Sequence, residues 1–216
     1  MGRVAKRTRG PVRVVLATRS APKARELRDL LAASGLELVS LDELGVVGGI
    51  AEDGATFADN ATRKAVGYAR LTGLPVLADD SGLEVDHLGG GPGVRTRRFA
   101  GPRASDAENN AHLLRLLDGV PPAQRTARYR CTLVLAAPDG GAGVVQAVTN
   151  GTLEGRIASA PKGTAGFGYD PIFEPEGEPA GGRTLAEYSP AAKNRISHRG
   201  RAARAMHAQL ERLSAR

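Results

Sequence analysis

Residues 12–31 read VRVVLATRSAPKARELRDLL, and the order of residue types in them decides the fold class. Val12 to Ala17 is apolar except at Arg13, with valines at 12, 14 and 15, the composition of a half-buried strand. Thr18, Arg19 and Ser20 then make a turn, after which Leu27, Leu30 and Leu31 recur at helical spacing. Ser20 is placed to cap that helix, Pro22 falls in its first turn, and Gly35 can end it. Strand, turn and helix in this order predict the opening unit of an α/β sheet.

The rest of the chain fits that frame. A second helix is predicted from the capping residue Thr56 to Thr72, with Gly73 as its C-cap and Pro75 behind it. Its apolar stripe is Phe57, Ala61, Ala65 and Tyr68, while Thr56, Asn60 and Lys64 form a polar stripe that must face water or a ligand. Leu74 to Ala78 reads as a short strand ending in the turn Asp79-Asp80-Ser81-Gly82. Ser105 and Glu108 form a capping box ahead of a leucine-rich helix. Thr126–Ala137 and Gly143–Leu153, joined by Pro138 to Gly141, predict an antiparallel hairpin, and Ser197–Leu213 a last helix with Ala202, Ala205, Met206 and Leu210 inward. Interleaved strands and helices followed by a hairpin predict an α/β fold with a mixed twisted sheet flanked by helices.

Composition narrows the function. The 216 residues carry a formal charge of +7, but the excess sits at the ends: residues 1–10 hold four cations and no acid, and residues 193–216 hold seven cations against Glu211. The body between them is net acidic, which argues against a basic groove for nucleic acid. The single Cys131 excludes an internal disulfide and a Cys-rich zinc framework, and points to a reducing, cytoplasmic compartment. No run approaches the roughly 18 apolar residues of a membrane span, and the apolar stretch after the basic start is too short and too charged for a secretory signal. Residues 1–10 are expected to be a basic disordered tail, with one domain over residues 11–216.

Three constellations carry candidate chemistry. At the first turn, N–H groups of a helix start, the hydroxyls of Thr18 and Ser20, Arg19 and the Lys23 ammonium suit a phosphate, though they equally describe a capped helix with an exposed lysine. Asp79, Asp80 and Ser81 follow an apolar strand, where α/β sheets place ligands, and alternation sends neighbouring side chains to opposite sides. With Glu52 they offer hard oxygen donors that suit Mg²⁺ or Mn²⁺, unless the aspartates only shape a turn. Phe167-Gly168-Tyr169-Asp170, Lys193, His198 and Arg199 combine aromatic rings with groups that read a base edge, or, for the rings, pack a core. Ser81 and His198 also raise a Ser-His-Asp hydrolase, but there is no GxSxG elbow.

Taken together, the stretches ATRSAPKARELRDLL (17–31), EDGATFADNATRKA (52–65), LADDSGLEVDHLGGGPG (77–93), GFGYDPIFEP (166–175) and LAEYSPAAKNRISHRGRA (185–202) resemble the inosine triphosphate pyrophosphatase family. The resemblance implies an elongated two-lobed domain with a central nucleotide cleft, a Mg²⁺ requirement, commonly a homodimer, and hydrolysis of ITP, dITP and XTP to the monophosphate and pyrophosphate. It implies that Asp80 is the catalytic carboxylate, and that Glu52, Asp80 and Asp79 form the metal cluster. By the same resemblance Lys23 and Lys64 bind the triphosphate, Thr18 and Ser81 touch substrate, and Phe167 to Asp170, Lys193, His198 and Arg199 recognise the base. Arg19, Ser20 and Asn60 complete the expected substrate contacts. Two positions depart from the family pattern: Ser20 stands where Asn is usual, and Arg95-Thr96-Arg97-Arg98 replaces a pattern closer to Tyr-Ser-Ala-Arg, which is expected to alter polyphosphate or dimer contacts.

Overall fold

The computed structural model describes residues 11–214, so the basic tail expected at residues 1–10 lies outside the described residues. The chain forms β1 (Arg13–Leu16), α1 (Ala21–Leu31), β2 (Glu37–Ser40), α2 (Phe57–Thr72), β3 (Val76–Val85) and α3 (Asp106–Leu116). It continues with β4 (Thr126–Asp139), β5 (Ala142–Ile157), β6 (Phe173–Pro175), α4 (Pro190–Ile196) and α5 (His198–Ser214). One six-stranded sheet runs in the order β2-β1-β3-β4-β5-β6. β1 is parallel to β2 and β3, and every later pairing is antiparallel, so the sheet is mixed as the sequence predicts.

Two cores lie on opposite faces of the first part of this sheet. One joins Val14, Leu16 and Leu77 to Leu27 and Leu31 of α1 and Met206 and Leu210 of α5; the other joins Val15, Val76 and Ala78 to Ala61, Ala65 and Tyr68 of α2. A third core lies further along the same long strands, where Leu83, Val85, Tyr129 and Leu153 pack with Leu113 of α3, Ile172 and Phe173. The strands β3, β4 and β5 thus pass from one lobe to the other. Among the described residues no helix is long and apolar enough to cross a membrane.

Several local readings hold. Thr56 accepts from the Asp59 N–H in a full capping box, Gly73 closes α2 at φ 65°, and Ser105 caps α3 in the same way as Thr56 caps α2. Gly140 and Gly141 take φ of 54° and 88°, the conformation a two-residue hairpin turn requires. Two readings are corrected and one is extended. β3 does not stop at Ala78: Asp80, Ser81 and Gly82 stay in register with Thr132, Cys131 and Arg130 of β4. Turn-forming residues remain in a strand there because β4 supplies the ladder and buried cations neutralise the aspartates, so context overrides propensity. The helix expected over Ser197–Leu213 is present as α5, and a further short helix, α4, absent from the sequence reading, precedes it, separated by Ser197, which is extended at φ −63°, ψ 153°. Ala203 rather than Ala205 faces the core.

Candidate active site

Asp79, Asp80 and Ser81 sit at mid-strand, where the sheet leaves the first two cores for the third, and a cleft of about 590 Å³ opens between the lobes at that point. Every residue expected at the site lines this cleft except Asp79. Alternation along β3 explains the exception. Asp79 faces α1 and α5, where its carboxylate is wholly buried, 3.0 Å from Lys23 Nζ and 3.6 Å from Arg199 Nη2. Burial pushes its pKa up, but Lys23, Arg199 and Lys64 outweigh that and hold it far below the usual carboxylate range. Asp79 is therefore an ionised anchor for two cations.

Asp80 faces the other way, toward α2. Its Oδ2 accepts from Asn60 Nδ2 at 3.0 Å, and its Oδ1 lies 4.0 Å from Lys64 Nζ. Burial dominates here and raises the Asp80 pKa against the opposing pull of Lys64, Lys23 and Asn60. A carboxylate so placed is a stronger proton acceptor than an ordinary aspartate. Lys64 Nζ also donates to Glu52 Oε2 at 2.7 Å and to the Asp79 carbonyl at 2.6 Å. Burial disfavours its charge, yet Asp79, Asp80 and Glu52 together raise its pKa, so it stays an ammonium. The polar stripe of α2 thus turns inward onto β3.

Glu52 and Asp80 therefore flank one cation, whereas Asp79, expected in the same metal cluster, is turned to the opposite face of the strand. Among the described residues no three His, Cys, Asp or Glu side chains converge as a metal cluster.

At the start of α1, Ser20 occupies the N-cap position but its side chain makes no capping bond, which leaves the hydroxyl and the first-turn N–H groups available at the cleft. Arg19 borders the cleft too, but its guanidinium is engaged elsewhere: Nη1 donates to Asp42 Oδ1 and Nη2 to the Val46 carbonyl, each at 2.8 Å, with a further bond to the Gly48 carbonyl. It ties down the loop that leads to Glu52.

The far end of the cleft is an aromatic platform under two cations. Lys193 Nζ lies 4.7 Å and the Arg199 guanidinium carbon 5.7 Å from the Phe167 ring centroid. Lys193 donates to Asp170 Oδ2 at 2.5 Å and pairs with Glu26 Oε1 at 2.8 Å. Asp170 also accepts from the Phe167 N–H at 2.9 Å, which fixes the ring's backbone. Arg199 pairs with Glu26 and donates to Ser81 Oγ at 3.0 Å. His198 stacks on Tyr129, centroids 4.6 Å apart and planes 6° from parallel. Burial first, then Arg199 and Lys193, drives its pKa well below the usual value, so the imidazole is neutral, and its Nδ1 has no partner. Tyr169 is buried with its hydroxyl donating to the Thr96 carbonyl at 2.8 Å, and Gly168 is held by Asp106 and Asn110.

Sequence reasoning missed Glu26, Tyr129, Asp106 and Asn110. Glu26 had a signal, since it follows Lys23 by three residues and so shares its helix face. Tyr129 had none, because only the sheet brings it under His198.

A mixed sheet crossing between two lobes, a buried carboxylate beside a buried ammonium, a helix start and a ring under cations define an α/β protein of the kind that encloses a phosphorylated ligand. Residues 14–209 match the model of the Ham1 family, and the chain belongs to that family. It is 48% identical over 200 residues to the dITP/XTP pyrophosphatase of Geobacillus kaustophilus (strain HTA426), covering 93% of this chain and 95% of that protein. It is 47% identical over 194 residues to the protein of the same name from Streptomyces avermitilis, covering 89% and 94%. Among solved structures it resembles a HAM1 protein from Coxiella burnetii, with TM-score 0.81 and 38% identity over 93% of this chain and 99% of that one. A nucleoside-triphosphatase / dITP/XTP pyrophosphatase from Mycobacterium abscessus gives TM-score 0.72 and 42% identity over 90% and 98%.

Proposed function

We propose that this chain hydrolyses non-standard purine nucleoside triphosphates, ITP, dITP and XTP, to the monophosphate and pyrophosphate. The observation that carries the reading is Asp80: a buried carboxylate of raised pKa, oriented by Asn60 and beside Lys64, at the midpoint of a cleft with a helix start on one wall and the Phe167 platform on the other. The relatives named above support it.

In this reading Asp80 takes a proton from water as its oxygen bonds the α-phosphorus, and the bond to the leaving pyrophosphate breaks. Lys23, Lys64, the Thr18 and Ser20 hydroxyls and the N–H groups opening α1 hold the phosphate oxygens and stabilise their charge. Ser81 is oriented by Arg199. The base lies on Phe167, and Lys193, His198 and Arg199 present donors that suit the 6-oxygen of hypoxanthine and xanthine and leave the 6-amino group of adenine facing donors. A site organised around such bonds discriminates by up to about 10⁴. Glu52 and Asp80 are two carboxylates lining the same cleft, a donor set that suits a magnesium ion, which takes one or two protein carboxylates and substrate phosphates. Glu52 and Asp80 would hold it; when bound it neutralises phosphate charge, and Mn²⁺ fits the same donors. Asp79 is committed to Lys23 and Arg199 and lies outside that pair.

A homodimer in the cytoplasm, with no nucleic-acid partner, completes the proposal; it rests on the family resemblance, and sedimentation velocity measures the assembly. The activity is tested by pyrophosphate release from ITP, XTP, GTP, ATP and dTTP, with Mg²⁺ and with EDTA. The expected result is turnover of ITP and XTP well above the others and lost with EDTA. Equal turnover of ATP or dTTP would defeat the base reading in favour of a pyrophosphatase for ordinary nucleotides.

A further inference from the structure

The cations of the cleft are mostly spoken for. Lys23 is paired with Asp79 and Lys64 with Glu52. Lys193 and Arg199 share Glu26, and Arg19 is held by Asp42. A polyanion entering the cleft therefore meets cations that protein carboxylates already neutralise, and it must compete with those carboxylates for them.

Arg97 and Arg98 differ. Both line the cleft, both are exposed, and among the described residues neither has a carboxylate within 4.0 Å or a side-chain hydrogen bond. Their backbone is nevertheless fixed. They end a 3₁₀ turn over Gly93–Arg98 in which Thr96 Oγ1 accepts from the Leu83 N–H at 3.2 Å and the Thr96 carbonyl accepts from Tyr169. The Arg97 carbonyl accepts from buried Asn109 Nδ2 at 3.1 Å, and Asn109 Oδ1 accepts from the Ala100 N–H at 2.8 Å. A segment tied at these points holds two free guanidinium groups at the cleft, which is the preorganised arrangement for catching phosphate oxygens.

The turn also packs beside β3 on the Asp80 face, since a Cβ at Gly82 would strike the Gly93 carbonyl and the Phe57 ring. That places its arginines in the cleft beside the strand that carries Asp80, on a turn anchored to the same lobe as Tyr169, where they are the cations left free to meet phosphates that Lys23 and Lys64 do not hold.

We infer that Arg97 and Arg98 are a distal-phosphate clamp: uncompensated cations that draw the triphosphate into the cleft and contact its β- and γ-phosphates, with Arg97 adding a charge where the family pattern has alanine. The inference rests on the triphosphate reading of this cleft.

The experiment compares Arg97→Ala and Arg98→Ala with Arg103→Ala, which removes one exposed cation outside the cleft. Calorimetric binding of inorganic tripolyphosphate and of IMP is measured at low and high salt, together with KM for ITP. Each cleft variant is expected to weaken tripolyphosphate binding and raise KM roughly three- to tenfold at low salt, to flatten the salt dependence, and to leave IMP binding unchanged. Arg103→Ala should match wild type. Tripolyphosphate binding equal to that of Arg103→Ala, or an equal loss of IMP binding, overturns the clamp. A wild-type protein that binds tripolyphosphate but does not turn over ITP would instead fault the activity reading, while the binding comparison still decides the clamp.

Discussion

At the scale of single residues, Asp79 and Asp80 show how one peptide step along a strand separates two roles. Burial raises both carboxyls and is the more complete at Asp79, yet Asp79 is lowered because Lys23 and Arg199 are in contact with it, whereas the nearest ammonium to Asp80 is 4.0 Å away. A raised carboxyl pKa has a definite thermodynamic sign. Asp80 is easier to bury protonated, so it contributes stability below the ordinary aspartate pKa and loses that contribution as pH rises through its own higher value. At neutral pH, Asp80→Asn should therefore lower turnover by at least about 10²-fold while leaving Tm equal to or above that of wild type. A variant with a clearly lower Tm would contradict the electrostatic account.

Elements place these residues through a few close contacts. Gly151 of β5 is one: a Cβ there would collide with the His198 carbonyl oxygen and the Ala202 backbone nitrogen, so its absence lets the start of α5 rest on the sheet. Gly151→Ala should push α5 outward with His198 and Arg199, destabilise by about 1–3 kcal/mol in urea unfolding, and raise KM for ITP. The Arg19 tie to Asp42, Val46 and Gly48 is another. Arg19→Ala should speed amide exchange over residues 46–52 and raise the Mg²⁺ concentration for half-maximal activity by about tenfold, through a looser Glu52. Unchanged exchange there would remove the argument for a positioning role.

Across the whole molecule, charge joins the two lobes. Glu26 comes from α1 in the first core, and Lys193 carries its pairing on to Asp170, beside the third. Burial raises the Glu26 pKa, but Arg199 and Lys193 outweigh it and leave the carboxyl lowered. Such a group stabilises the fold above the ordinary glutamate pKa, and the contribution is lost as pH falls through the depressed one. Glu26→Gln should cost about 2 kcal/mol at pH 7, since it leaves two cations without their shared carboxylate, and the variant's stability should decline less steeply than that of wild type below about pH 4. Parallel pH curves for the two proteins would show that the bridge carries no net stability.

Much of this was written locally. The strand, turn and helix of residues 12–31, the capping boxes at Thr56 and Ser105, and the Gly140-Gly141 turn are short-range chemistry, and neighbours in sequence suffice to specify them. The candidate residues were legible too, because they fall in compact runs of hydroxyl, acidic, basic and aromatic side chains. What tertiary structure decided was direction and partnership. That β3 continues through Asp79-Asp80-Ser81-Gly82 follows from pairing with β4, some 50 residues away in the chain. That Asp79 is an anchor, that Arg19 is tied to a loop while Arg97 and Arg98 stand free, and that Glu26 bridges two lobes depend on which charges meet across long loops. Electrostatic contact falls off over a few ångströms of space, not of sequence, so only the folded chain sets it.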